Sequence, residues 1–101
     1  MEIKLEDIEV THNEDASRFE TVIDGQLSKL DYTINGDTIV MTHVGVNPAH
    51  RGNGVAAKIT QIALEYAKEK SLRVIPMCSY VGAYIRRNKQ YMELTRRPND
   101  E

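Results

Sequence analysis

The chain lacks a second cysteine, lacks any acid across two long stretches of its C-terminal half, and lacks an apolar run long enough to span a bilayer. Standing alone, Cys78 forms no internal disulfide and supplies no multi-cysteine zinc site, so its importance is as a thiol, and no metal is expected. With no membrane-length segment, and a start (Met1-Glu2-Ile3-Lys4-Leu5-Glu6-Asp7) too acidic and mixed for a signal peptide, the default is a cytoplasmic protein with no membrane partner. No repeat or linker interrupts the 101 residues, and hydrophobic and charged contents of 41% and 28% exclude disorder and a collagen-like framework. One domain over 1–94 is expected, followed by a polar tail over 95–101 that frays.

The acids that are missing from the second half are concentrated in the first: residues 1–37 hold ten of the fifteen acids and three of the thirteen bases. No acid occurs between Asp37 and Glu65, or between Glu69 and Glu93, where Arg51, Lys58, Lys70, Arg73, Arg86, Arg87 and Lys89 stand. Such a half suits an anion, unless the run is only a solvated face. Nucleic acid is disfavoured as that anion by the net charge of −2 and an aromatic content of 6%.

Ile8–His12, Phe19–Ile23, Leu27–Ile34 and Thr38–Val46 carry the β-branched and aromatic residues of strands. Asp24-Gly25 and Asn35-Gly36 supply the positive φ angles of tight hairpins between them, which predicts an antiparallel meander. After Asn47-Pro48 the period changes: Val55, Ile59, Ile62, Ala63 and Tyr66 recur at helical spacing, so a helix is expected over roughly 53–70. Leu72–Met77 follows as a short strand ending at Pro76, and Tyr80–Asn88 as a second, short helix. The fold class is therefore α+β: an antiparallel meander, one βαβ unit and a short C-terminal helix.

Arg51-Gly52-Asn53-Gly54-Val55-Ala56 lies where strand hands over to helix, so the helix's unpaired amides and positive dipole end face it. The glycines allow close approach of a phosphate, Arg51 adds charge, and no acid in the first turn compensates the dipole. An empty glycine turn, a dinucleotide loop and a coenzyme A loop all remain open on these residues. Gly52-x-Gly54-x-x-Ala57 does satisfy G-x-G-x-x-G/A, but several strands precede it and Leu72–Cys78 offers no acid for a ribose. A Walker loop fails because no Gly-Lys-Ser or Gly-Lys-Thr follows.

This arrangement resembles the GNAT acetyltransferase superfamily, whose coenzyme motif Arg/Gln-x-x-Gly-x-Gly/Ala is matched by Arg51, Gly54 and Ala56. Val44-Gly45-Val46-Asn47-Pro48 is similar to the strand leading into that motif, and Cys78-Ser79-Tyr80-Val81 to a segment of the superfamily's minimal, single-domain branch. The likeness runs from about Phe19 through Leu94. It implies acetyl-CoA as co-substrate, with pantetheine paired to backbone at Val44, Gly45 and Val46, the pyrophosphate on residues 51–56, and Tyr84 beside the coenzyme. Larger members insert helices after the first strand and add a C-terminal hairpin, for which this chain has no room, so the acceptor, a small-molecule or protein amine, is unspecified. An oligomer is possible but not indicated.

Acetyl transfer to an amine needs a base and either direct attack or a nucleophile that carries the acetyl group. His43, near the end of the strand entering the loop, is the candidate base, because imidazole exchanges a proton at neutral pH. Cys78 precedes a helix whose N-terminus favours a thiolate, which makes it the candidate nucleophile; a strand-filling histidine and a buried cysteine are the plain alternatives. Tyr80 and Tyr84 are lesser candidates for protonating the leaving thiolate. A non-catalytic acyl-CoA-binding or sensing module would keep residues 51–56 and dispense with this chemistry.

Overall fold

Asp24 and Gly25, at φ 51° and 75°, close a two-residue hairpin between β2 (Arg18–Ile23) and β3 (Gln26–Asn35), the backbone twist that matches two paired strands. The computed structural model in which this is seen describes residues 5–96. A three-residue strand, β1 (Thr11–Asn13), pairs with β2 at the sheet's edge. At the next hairpin Asn35 stays in its strand, paired with Thr38 of β4 (Thr38–Gly45), and Gly36 alone takes positive φ, at 64°. The chain then crosses through α1 (Val55–Glu69) to β5 (Arg73–Pro76), which lies parallel to β4 and forms the other edge, and continues into α2 (Ser79–Arg87). The α+β class, the meander and the single βαβ unit are as the sequence implies, in sheet order β1-β2-β3-β4-β5.

The first strand is displaced from its expected position: it is built from Thr11–Asn13, while Ile8, expected to begin it, is buried outside any strand. Here pairing with β2, a tertiary term, outweighs local composition. Three 3-10 turns escape sequence reading, at Leu5–Asp7, Pro48–His50 and Lys89–Thr95. Thr95, expected to begin the tail, closes the third of these and its carbonyl accepts from Arg73 Nε at 3.4 Å; residues 97–101 lie outside the described residues.

One hydrophobic core holds the layers together. Phe19, Leu30, Tyr32, Ile39, Met41 and Val74 of the sheet meet Val55, Ile59, Ala63, Leu64 and Ala67 of α1, and Val81, Ile85 and Tyr91 close its end. Each large aliphatic side chain removed from water there contributes about 1.5–3 kcal/mol. The opposite sheet face carries Arg18, Glu20, Lys29 and Asp31, joined as Arg18–Glu20 and Lys29–Asp31 ion pairs. Among the described residues no helix is long and apolar enough to cross a membrane.

Candidate functional site

The site begins with an irregularity in β4. Tyr32 of β3 faces Met41, yet Asp31 faces His43, so Thr42 is an extra residue in β4, and its hydroxyl donates to the Asp31 carbonyl at 3.2 Å. Because strand side chains alternate, one inserted residue exchanges the faces of everything beyond it. Val44 thereby lies opposite buried Leu30, while His43 is turned to the exposed face. Its imidazole lies over Gly45: a side chain placed there would begin 3.0 Å from Nε2.

Past the bulge β4 also loses its other neighbour. Parallel pairing with β5 ends at Met41 and Pro76, and the Cys78 amide donates to the Met41 carbonyl at 3.0 Å before the chain turns into α2. From Thr42 onward no described strand pairs with β4 on that side, so the segment of Val44, Gly45 and Val46 presents an edge of backbone donors and acceptors. Cys78 is the N-cap residue of α2, half-buried against the core, on the opposite side of this gap from His43. Among the described residues no hydrogen bond joins the two.

The edge leads into the glycine segment. Asn47 fixes its start, accepting from the Ala49 amide at 2.9 Å through Oδ1 and donating to Gln26 Oε1 at 2.9 Å, while its own amide donates to Ser28 Oγ at 3.2 Å. Asn53 closes the loop, its side-chain amide donating to the carbonyls of His50 and Arg51. Its Nδ2 is thus occupied internally, within the loop. Gly54, at φ 79°, is the N-cap of α1; it brings no capping side chain, and no acid stands in the first turn. The first amides of α1 therefore have neither side-chain partner nor compensating charge. A cleft of about 290 Å³ lies over them, lined by Val46, His50, Arg51, Gly52, Gly54, Val55, Ala56 and Tyr80. Tyr84 falls outside it and lines an adjoining groove with Gly54, Ala57, Lys58 and Gln61.

His50 is the residue that sequence reading missed. It is 4% exposed, its Nδ1 has no hydrogen-bond partner among the described residues, and its Nε2 lies 3.7 Å from Asp24 Oδ2 at the β2–β3 turn. A histidine between Pro48-Ala49 and Arg51 looks like loop surface in a sequence, yet the fold buries it and brings it to Asp24 of the β2–β3 hairpin. Burial pushes the phenols of Tyr80 and Tyr84 up, and Arg87 opposes the rise in both. Among the described residues no cluster of three or more His, Cys, Asp or Glu side chains is arranged to hold a metal ion.

Comparison with known proteins bears on what such a cleft is for. A family model for GCN5-related N-acetyl-transferases matches residues 18–94. Protein NATD1 of Gallus gallus and of Homo sapiens are each 31% identical to this chain over 91 residues, covering 85% of it and 83% and 80% of their own lengths. A GCN5-like protein from Staphylococcus aureus, determined in solution by NMR, superposes with a TM-score of 0.69 at 25% identity over 85% of each chain.

Proposed function

Since this chain belongs to the GCN5-related N-acetyl-transferase family, we propose that it binds acetyl-CoA against the free edge of β4 and the N-terminus of α1 and transfers the acetyl group to an amine. The observation that carries the reading is the end of β4–β5 pairing at Met41 and Pro76, immediately beside an uncapped helix. Unpaired strand backbone accepts an extended amide chain such as pantetheine as it would another strand. The amides at the start of α1, with Arg51, suit a pyrophosphate. Buried Nδ1 of His50, without a partner in the wall of the same cleft, is one more polar group that a ligand or its hydration would satisfy.

Transfer proceeds in two displacements. The Cys78 sulfur, at the N-cap of α2, attacks the acetyl carbonyl; the new C–S bond forms as the bond to the coenzyme sulfur breaks, and the coenzyme thiol takes the proton Cys78 gave up. The acceptor amine then attacks acetyl-Cys78, His43 removes the proton the amine loses, and the Cys78 thiol is regenerated. The acceptor is a small-molecule or protein amine. The acids of the sheet's open face bear little on it, because Glu20 and Asp31 are already paired with Arg18 and Lys29.

Intact mass after rapid quenching with acetyl-CoA tests this. Wild-type protein is expected one acetyl group heavier, Cys78→Ser unmodified, and His43→Gln acetylated but slowed about 10²–10⁴-fold in transfer to an amine. An unmodified wild type together with an active Cys78→Ser would sink the two-step route. The packing of Cys78 against the core favours a second reading, a non-catalytic acyl-CoA-binding module; that reading predicts binding without turnover for any amine.

A further inference from the structure

Beyond the glycine cleft a second groove of about 330 Å³ begins at the same Gly54 and runs one helical turn farther between α1 and α2. Its walls are Lys58 and Gln61 of α1, Tyr84 of α2, and Glu6 from the N-terminal 3-10 turn. Tyr80 lines the first cleft and Tyr84 the second, so the two are joined along one face of α2. Residues 80, 84 and 87 are spaced i, i+4 and i+7, which aligns them on that face. Arg87 thus ends a row that starts at the cleft. It is exposed, and no carboxylate among the described residues lies within ion-pair distance of it.

For a coenzyme whose pyrophosphate rests on the start of α1, this groove, which shares Gly54 with the first cleft, is a path open to the adenosine, and the ring of Tyr84 offers it a flat apolar wall. The ribose of that adenosine carries a phosphate monoester at its 3′ position. Within the groove such a group meets the Lys58 ammonium on α1 and the Glu6 carboxylate across from it; past the Tyr84 ring, one turn along α2 and outside the groove's own lining, stands the Arg87 guanidinium, whose planar donors match phosphate oxygens. We propose that Arg87 recognises the 3′-phosphate and so makes the protein select coenzyme A over dephospho-coenzyme A. The inference rests on the coenzyme reading given above. That Arg87 draws the titration of both Tyr80 and Tyr84 downward agrees with a charge standing beside the row.

The plain role of a cation here is to compensate the C-terminal end of α2, where Arg86 and Arg87 both stand. Arg86 separates the two roles. Its Nη1 lies 3.5 Å from where a side chain on Gly82 would begin, which lays it back along a different face of the helix. Calorimetric titration of the full chain with coenzyme A and with dephospho-coenzyme A at moderate ionic strength is the test, with circular dichroism to confirm that each variant is folded. Wild type is expected to favour coenzyme A about tenfold, as a charge-assisted pair to phosphate supplies. Arg87→Ala should bring that ratio to within about twofold, while Arg86→Ala keeps it, although both remove one charge from the same helix end. Retention of the preference in Arg87→Ala, its equal loss in Arg86→Ala, or its absence in wild type overturns the assignment while leaving the coenzyme site standing. Binding of neither form overturns the coenzyme reading itself and this inference with it.

Discussion

The imidazole of His43 occupies the space that a side chain on Gly45 would need, so two residues of β4 are chosen together. Lengthening Gly45 to alanine should displace the ring by a few tenths of an ångström and lower acetyl transfer more than coenzyme affinity. Against α1 and Tyr84, Tyr91 is buried and donates through its hydroxyl to Glu65 Oε2 at 2.6 Å. Burial first, and the carboxylate second, push that phenol up to about 12. Its folded-state pKa therefore stands above the ordinary value of about 10, and the stability it contributes is whole below pH 10 and lost as pH rises toward 12. Denaturant unfolding of Tyr91→Phe should show a loss of about 1 kcal/mol at neutral pH and a flatter decline above pH 10 than wild type. An alkaline decline identical in both would show that Tyr91 is not its source. His12 works in the opposite direction: burial lowers its pKa, so neutral imidazole, stacked on Phe19 and hydrogen-bonded to Tyr32 Oη, contributes stability above pH 6.5 that fades as pH falls.

Among the elements, α1 carries the most weight because its N-cap is a glycine at φ 79° with no side-chain acceptor. Gly54→Ala and Gly36→Ala both force a left-handed conformation on an L-residue, at about 1–2 kcal/mol each. Gly36 lies in the β3–β4 turn, away from the cleft, so thermal unfolding should fall similarly in both variants while coenzyme affinity falls only in Gly54→Ala. Similar losses of affinity in both would mean that the loop holds no ligand. These elements were legible in the sequence to different degrees. Asp24-Gly25, the β-branched and aromatic residues of Leu27–Ile34, and the helical recurrence from Val55 to Tyr66 are local signals, and each gives its element nearly in place. β1, the Thr42 bulge and the 3-10 turn over Lys89–Thr95 are set by which neighbour each segment meets, and no local pattern carries that information.

At the scale of the whole molecule the same division holds for the site. The glycine segment could be picked out from Arg51, Gly54 and Ala56 because its residues are contiguous in the chain. Buried His50, held near Asp24 across more than twenty residues of chain, could not. The place where β4 and β5 part was half legible: Pro76 marks the end of β5 in the sequence, whereas the bulge beside it in β4 does not show there. Each partner of the Asp24–His50 contact belongs to a different part of the fold, the meander and the crossover, so Asp24→Asn should loosen the loop and weaken coenzyme binding several-fold without touching the cleft itself. In the proposed function one continuous surface, the free edge of β4 and the start of α1, receives acetyl-CoA. Titration of ¹⁵N-labelled protein with acetyl-CoA, following every backbone amide, tests this proposal. Saturable shifts greatest at Val44–Val46 and Gly52–Ala56, and extending to Tyr80 and Tyr84, are predicted; no saturable change, or changes gathered around His12 and Glu14 at the β1 edge, would contradict it.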